Sequence, residues 1–283
     1  MKGIIRRSFA PAAWLGWQVE SNWASPLLFL AFSVLKPVAG VLILVFMYNT
    51  VSRVGTSAPI YGYIYLGNAL YVYVGTVMAG TSYSILEDRE RYRVLKYLYI
   101  APINIPVYLF GRATPRFLAG SLAAAITIFF GVTFFKVPVH LTLVNWPVFL
   151  FGLMLGVLCL AGMGIVLGSW TLTLRTQPWF LGESTAAALY LFSGAIFPLT
   201  LLPKFLQPIG YLMPLTYWLE LMRRALLGRG AAAFPTLAEF SNQQLFLILG
   251  AQTVFSLGLA FVAFRFFDRI ARDRGLIDAQ SDF

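Results

Sequence analysis

The chain has 283 residues, of which 59% are hydrophobic and 11% charged, and it carries a formal net charge of +10. A soluble domain holds roughly 25% charged residues, so water is excluded as the main solvent, and the long uncharged runs point to membrane spans of about 20 residues each. The bases lie between apolar runs and not on one soluble face, which fits contact with anionic headgroups and argues against nucleic acid as a partner.

The N-terminus is basic through Lys2, Arg6 and Arg7, but Pro11, Gln18, Glu20 and Asn22 follow without a compact apolar core, which reads against a cleaved signal peptide. Residues 9–24 set Phe9, Trp14, Trp17 and Trp23 among those polar residues, the pattern of an interfacial helix lying flat before the first span. Predicted spans follow at 26–50, 60–86, 105–135, 146–174, 178–200 and 245–266, giving an all-α integral membrane fold of six helices in one domain. The first contains Lys36 and Pro37. The second is rich in tyrosine, and the third carries Arg112 and Arg116 near its start, where they are expected to snorkel back to the headgroups. In the fourth, Gly152 with Gly156 and Gly164 with Gly168 form two small-xxx-small pairs, for which a dimer face or a tight intramolecular contact is expected.

An even number of spans puts both ends on one side. With that side cytoplasmic, Lys2, Arg6, Arg7, Arg89, Arg91, Arg93, Lys96, Arg112, Arg116, Arg175, Arg265, Arg269, Arg272 and Arg274 lie inside, 14 of the 21 bases. Arg53, Lys136, Lys204, Arg223, Arg224 and Arg229 lie outside. The positive-inside rule therefore predicts cytoplasmic termini in the cell's inner or plasma membrane.

Two stretches do not read as spans. Residues 87–99 predict a short cytoplasmic helix, with Glu87 paired to Arg91, Glu90 paired to Arg93, and Tyr92, Leu95 and Tyr99 along one apolar stripe. An ordinary solvated loop is the alternative; if the helix docks on a partner, reversing Glu87 and Glu90 is expected to impair coupling without unfolding the chain. Residues 203–228 are cut by Pro203, Pro208 and Pro214 into two pieces too short to cross. The second piece places Leu215, Trp218, Leu219, Met222 and Leu226 on one stripe, with Glu220 and Arg224 paired opposite. That pattern predicts a re-entrant hairpin on the outer side, tolerated at membrane depth where protein or a cavity covers it, and hence a candidate exit gate. A surface-lying amphipathic loop is the alternative.

Chemistry other than transport is poorly supplied. Cys159, the only cysteine, permits neither an internal disulfide nor a cysteine metal site, and the only histidine, His140, falls in a predicted outer loop, so neither zinc binding nor a Ser193 dyad is supported. Of the 11 Asp and Glu, only Glu183 falls within a predicted span, which argues against proton-coupled antiport. A channel would want a filter-like repeat or a ring of like charges, and neither is visible.

The run Glu87, Asp88, Arg89, Glu90, Arg91, Tyr92 and Leu95, closed by Ala101 and Pro102, resembles the acidic-basic motif of the ABC type-2 transport permease family. Downstream, Ser193-Gly194, Phe197-Pro198, Leu202-Pro203, Pro214-Leu215-Thr216 and Arg223 are similar to that family's most recognisable signature. One departure stands out: many relatives have a glycine-threonine turn after the charged run, where this chain has Tyr92 and Arg93. The resemblance implies a type V exporter fold with a coupling helix at 87–99 and a gate hairpin before the last span. It also implies two permease copies, probing lipids on their outer faces, with an ATP-binding-cassette ATPase in trans. No Gly-x-x-x-x-Gly-Lys-[Ser/Thr] loop occurs here, so no cofactor is expected in this chain, and ATP and Mg would sit on the partner. The aromatic fraction of 16% suits amphipathic drug-like or lipid-linked cargo, with polysaccharide or glycolipid as the alternative.

Overall fold

The structure is a computed structural model that describes residues 2–22, 35, 38–43, 45–46, 59–140, 142–174, 177–228 and 237–277. Much of the expected first span, Lys36 and Pro37 included, lies outside the described residues, as do Arg53, Arg175 and Arg229. Among the described residues every regular element is helical.

Helix α1 (Lys2–Ser21) packs on α4 (Ile105–Phe134). The approach is close because glycine stands on both sides: a Cβ on Gly16 would lie 2.8 Å from Pro115, and one on Gly111 would lie 2.6 Å from the Phe9 carbonyl. Trp14 and Trp17 stay exposed on the far side of α1. Helix α2 is a continuous rod over 59–91 whose pitch changes along its length, α-helical at Pro59–Tyr73 and Gly80–Leu86 and π-helical at Val74–Ala79 and Glu87–Arg91. It ends five residues beyond the predicted span. After a turn comes α3 (Leu95–Ile100), then α4, started by Asn104, whose side chain accepts from the Val107 N–H.

Helix α5 (Trp146–Thr171) begins the same way, at Asn145 with Pro147 in its first turn. Helix α6 (Phe180–Phe192) is followed by α7 (Gln207–Leu212) and α8 (Pro214–Leu227). A capping box of Ser241 and Gln244 opens α9 (Asn242–Asp273).

Among the described residues four helices can cross a membrane by length and composition: Tyr61–Arg91, Ile105–Phe134, Trp146–Thr171 and Asn242–Asp273. The sequence predicts six. Helix α6 has 13 residues, about 20 Å at 1.5 Å per residue, against a hydrocarbon core of about 30 Å. The run expected to continue to 200 stops at Phe192 because Gly194 turns left-handed at φ +74° and Pro198 follows.

Helix α5 is the hub, and the glycines of its two small-xxx-small pairs divide between two neighbours, while Gly162 faces Ser256 of α9. A Cβ on Gly152 would meet Met222 at 2.4 Å and one on Gly156 would meet the Trp218 indole at 2.1 Å, both on α8. On Gly164 and Gly168 it would meet Met78 and Ser82 of α2, at 2.5 and 3.0 Å. Both small-residue pairs are thus filled within the chain. Gly156→Ala must push Trp218 aside, and overpacking of this kind costs about 1–3 kcal/mol. Thermal unfolding in detergent should show that loss for Gly156→Ala and none for Gly258→Ala, whose Cβ meets nothing within 4 Å.

Candidate functional site

Where α2 nears its end, the acidic run turns into the protein. Asp88 is buried, its Oδ2 accepts from the Tyr108 hydroxyl at 2.9 Å, and its Oδ1 lies 3.1 Å from Arg112 Nη2. Glu87 Oε2 lies 3.3 Å from the same Arg112 atom and 3.0 Å from Arg116 Nη2. Arg116 Nε donates to Ser84 Oγ at 3.2 Å, and its Nη1 is 3.8 Å from Glu20 of α1. Gly80 leaves the space through which Arg116 passes, since a Cβ there would be 2.8 Å from that side chain. One charged cluster therefore joins α1, α2 and α4.

The next residue serves a different helix. Arg89 Nη1 donates to the carbonyls of Thr171 and Leu172, at 3.1 and 3.3 Å, and Nη2 to that of Leu174 at 3.4 Å, so its charge closes the end of α5. A cation at a helix C-terminus satisfies carbonyls that have no partner within the helix and complements the macrodipole. Glu90 lies 2.6 Å from Arg89.

These contacts correct three expectations. Residues 87–99 do not form one helix: α2 runs on to Arg91, and Arg93 breaks the chain with φ +53° before α3 begins. The Val94 N–H reaches back to the Asp88 carbonyl at 2.9 Å, a closure one residue wider than the 6→1 bond of a Schellman cap, in keeping with the π-helical pitch of Glu87–Arg91. Glu87 reaches across to α4, not along its own helix. Arg112 does not snorkel, since its side chain is 2% exposed and ion-paired. The cause is common to all three: a carboxylate near the membrane core is stabilised far more by a guanidinium it can touch than by distant water. Tyr108, Arg112 and Arg116 follow one another at four-residue spacing, so the stripe that receives the acids was visible in the sequence; the identity of its partner was not.

Beyond the break, Leu95 is buried while Arg91, Tyr92, Arg93, Lys96, Tyr97 and Ile100 are exposed. Tyr99 turns back, donating its hydroxyl to Asp268 of α9, and Arg272 covers its ring at 4.6 Å. Burial and the adjoining carboxylate raise the Tyr99 hydroxyl above its ordinary range, so it remains a donor.

At the opposite end of α2 lies the hairpin. Arg223 is fully buried, its Nη2 donating to the Gly194 and Ala195 carbonyls at 2.9 and 3.0 Å and its Nε to the Tyr63 carbonyl at 3.2 Å. Its guanidinium sits 3.4 Å from the centre of the Tyr63 ring. Gly67 is required there: a Cβ would fall 2.0 Å from the Ala195 oxygen and 2.1 Å from Arg223 Nη2. Thr216 ties α8 to α7 by donating to the Gly210 carbonyl at 2.7 Å. Glu220 and Arg224 pair at 3.0 Å, and Arg224 also donates to the Phe240 and Leu237 carbonyls. Leu215, Trp218, Leu219 and Met222 are all at most 1% exposed, and Glu220 is buried with them, so α8 is an interior helix and not a surface-lying one. Pro198 is buried, Pro214 and Phe197 are half-buried, and Pro203 is exposed.

Between α2, the end of α5 and the start of α6 an open groove of about 640 Å³ runs beside the π-helical Val74–Ala79. Ser82, Tyr83, Arg116, Trp179 and Glu183 are among its lining residues, so polar and aromatic side chains meet there. In the sequence Glu183 reads only as the carboxylate within a predicted span, and nothing there singles out Trp179. Tyr108, Glu20, Tyr63 and Gly67 were likewise missed as site residues.

Membrane-length helices, an interior charge cluster and a lateral groove define a polytopic membrane protein. Residues 13–227 match the family model described as ABC-2 type transporter, and the chain belongs to that family. It is thereby the membrane permease of an ATP-binding-cassette transporter, and the family implies association with an ATP-binding-cassette ATPase subunit. A search of curated proteins returned no match.

Because Glu87 holds two arginines, Glu87→Lys places a third cation against them. We expect a stability loss of about 3–5 kcal/mol, the range for breaking a buried ion pair, seen as a lowered unfolding temperature in detergent, whereas Tyr97→Ala leaves that temperature unchanged. Arg93→Gly relieves a left-handed conformation that costs a side-chain-bearing residue about 1–2 kcal/mol, and the same measurement should show a gain.

Proposed function

We propose that the permease exports amphipathic drug-like or lipid-linked compounds from the cytoplasm, driven by an ATPase that binds it as a separate subunit. The groove carries this reading. Tyr83 and Trp179 offer flat apolar surface, while Ser82 and Glu183 offer polar groups beside it, a combination matched to a molecule with one apolar and one polar end.

Two copies would face each other to complete a central path, each with six crossings once 26–50 and the α6 region are counted, lipids around their outer faces and both termini cytoplasmic. The distribution of Lys and Arg in the sequence supports that orientation. ATP and Mg would be held by the ATPase pair. Their closure would move the segment after Arg91, the α2 rod would carry the displacement along the membrane normal, and the hairpin held by Arg223 would open on the outer side. The four-residue spacing of cluster residues on α4 makes α2 and α4 move together.

The test uses the tagged permease purified with its ATPase into lipid nanodiscs. Amphipathic compounds should stimulate ATP hydrolysis. Gly75 lines the groove with nothing within 4 Å of its Cβ position, so Gly75→Phe should fill the groove, reducing stimulation at least tenfold while basal hydrolysis and unfolding temperature persist. Undiminished stimulation in that variant would place the cargo elsewhere, and absence of any co-purifying ATPase would remove the exporter reading.

A further inference from the structure

The groove beside Val74–Ala79 has two charged side chains among its described lining residues, Arg116 and Glu183, and they are not equally free. Arg116 is committed to the protein: Nη2 lies 3.0 Å from Glu87, Nη1 lies 3.8 Å from Glu20, and Nε donates to Ser84 at 3.2 Å. Glu20, Glu87 and Asp88 bring three carboxylates to the guanidinium groups of Arg112 and Arg116, so that cluster leaves no positive charge over for a guest. Glu183 is the opposite case. It is exposed, and among the described residues no basic group lies within ion-pair distance of its carboxylate.

Aromatic rings accompany that carboxylate. Trp179 precedes Glu183 by four residues at the start of α6, which sets both side chains on one face of the helix. Tyr83 of α2 lines the same groove, and with Trp179 45% exposed and Tyr83 47% exposed each ring keeps open surface. The face of such a ring carries negative charge density and attracts a cation, Trp most strongly. An anion gains nothing from it and is repelled by the carboxylate. At about 640 Å³ the groove has the size of sites that take drug-sized molecules.

Resting on the exporter reading above, we propose that the groove selects its cargo by charge and takes lipophilic organic cations, with Glu183 as counter-ion and the Trp179 and Tyr83 rings against the cationic centre and the apolar body. Cargo linked to a lipid through phosphate brings negative charge to an unpaired carboxylate and is disfavoured. Glu183 is the one acid within a predicted span, and an ionisable group kept at membrane depth marks a site of use. It also lies in the first turn of α6, where a carboxylate complements the helix macrodipole. That local role is indifferent to the charge of a bound molecule, so charge preference separates the two.

The experiment uses the full-length permease with its ATPase in lipid nanodiscs and two probes of near-identical shape and opposite charge, tetraphenylphosphonium and tetraphenylborate. Binding is measured by equilibrium dialysis with empty nanodiscs subtracted, and stimulated ATP hydrolysis is read alongside. The unmodified protein should bind tetraphenylphosphonium saturably and tetraphenylborate at least tenfold more weakly. Glu183→Gln keeps the shape of the side chain and removes its charge. It should weaken tetraphenylphosphonium about tenfold, the scale of a partly desolvated cation contact, whereas Glu183→Asp retains most of the preference. Trp179→Leu should weaken the same probe severalfold, and unfolding temperatures check that each variant is folded.

Absence of saturable tetraphenylphosphonium binding, or equal binding of the two probes by the unmodified protein, overturns the inference whether or not the variants fold. So does tetraphenylphosphonium binding that survives Glu183→Gln at full strength, which leaves Glu183 to the helix macrodipole. In each of these cases the exporter reading stands as long as amphipathic compounds stimulate hydrolysis. Charge-selective binding that is lost in Glu183→Gln, with no compound stimulating hydrolysis, does the reverse: it supports the cation site and removes export as its use.

Discussion

Glu87 and Asp88 face Arg112 and Arg116 across the junction of α2 and α4, and much else in this protein follows from that meeting. Charges placed near hydrocarbon are costly alone and tolerable when paired and hydrogen-bonded. Tyr108 and Ser84 supply the hydrogen bonds, and Glu20 brings α1 onto the same cluster. Helices α1, α2 and α4 are thereby one unit. Satisfying the acids internally also removes them from the surface, which leaves the turn beyond Arg91 cationic. An arrangement made for stability inside thus sets the chemistry presented outside.

The hairpin end solves a related problem with a single charge. Arg223 has no carboxylate within ion-pair distance among the described residues; carbonyls of Gly194, Ala195 and Tyr63 and the face of the Tyr63 ring take its place. The Gly194 and Ala195 carbonyls come from the broken end of α6, where helical partners are missing, so cation and helix end satisfy each other. Arg89 does the same for α5 at the other end of the rod. Helix α2 therefore carries one arginine-to-carbonyl contact near its foot and receives another near its head, with the π-helical Val74–Ala79 and the groove between them. A π-turn within a long helix is a place where pitch can change with little loss of hydrogen bonding.

Periodicity made the long helices and the stripe of α8 legible, because apolar residues at helical spacing have one economical arrangement. The glycine pairs of α5 announced close approach but not the neighbour, since Gly152 and Gly156 accept Trp218 and Met222 from a helix more than sixty residues away in sequence. The Glu87 to Arg91 run was misread for a similar reason. Residues four apart on one helix can always pair, so local spacing favoured Glu87 with Arg91, while the stronger partner, Arg112, stands on another element. Nothing local revealed that α2 would end in a left-handed arginine, because that conformation is stabilised by the Val94 to Asp88 closure and not by Arg93 itself. The groove was illegible because Trp179, Tyr83 and Arg116 come from three separate segments and meet only after packing.

A double-mutant cycle between Asp88 and Arg112 addresses the inward turn of the acidic run most directly. Unfolding free energies of Asp88→Asn, Arg112→Gln and the double variant, measured in one detergent, give the coupling between the two side chains. Contact within a buried network predicts a coupling of about 1–3 kcal/mol, with the double variant less damaging than the sum of the two single losses. A coupling below about 0.3 kcal/mol, the level at which distant sites simply add, would mean that the two side chains do not meet, and that the acids face the solvent after all.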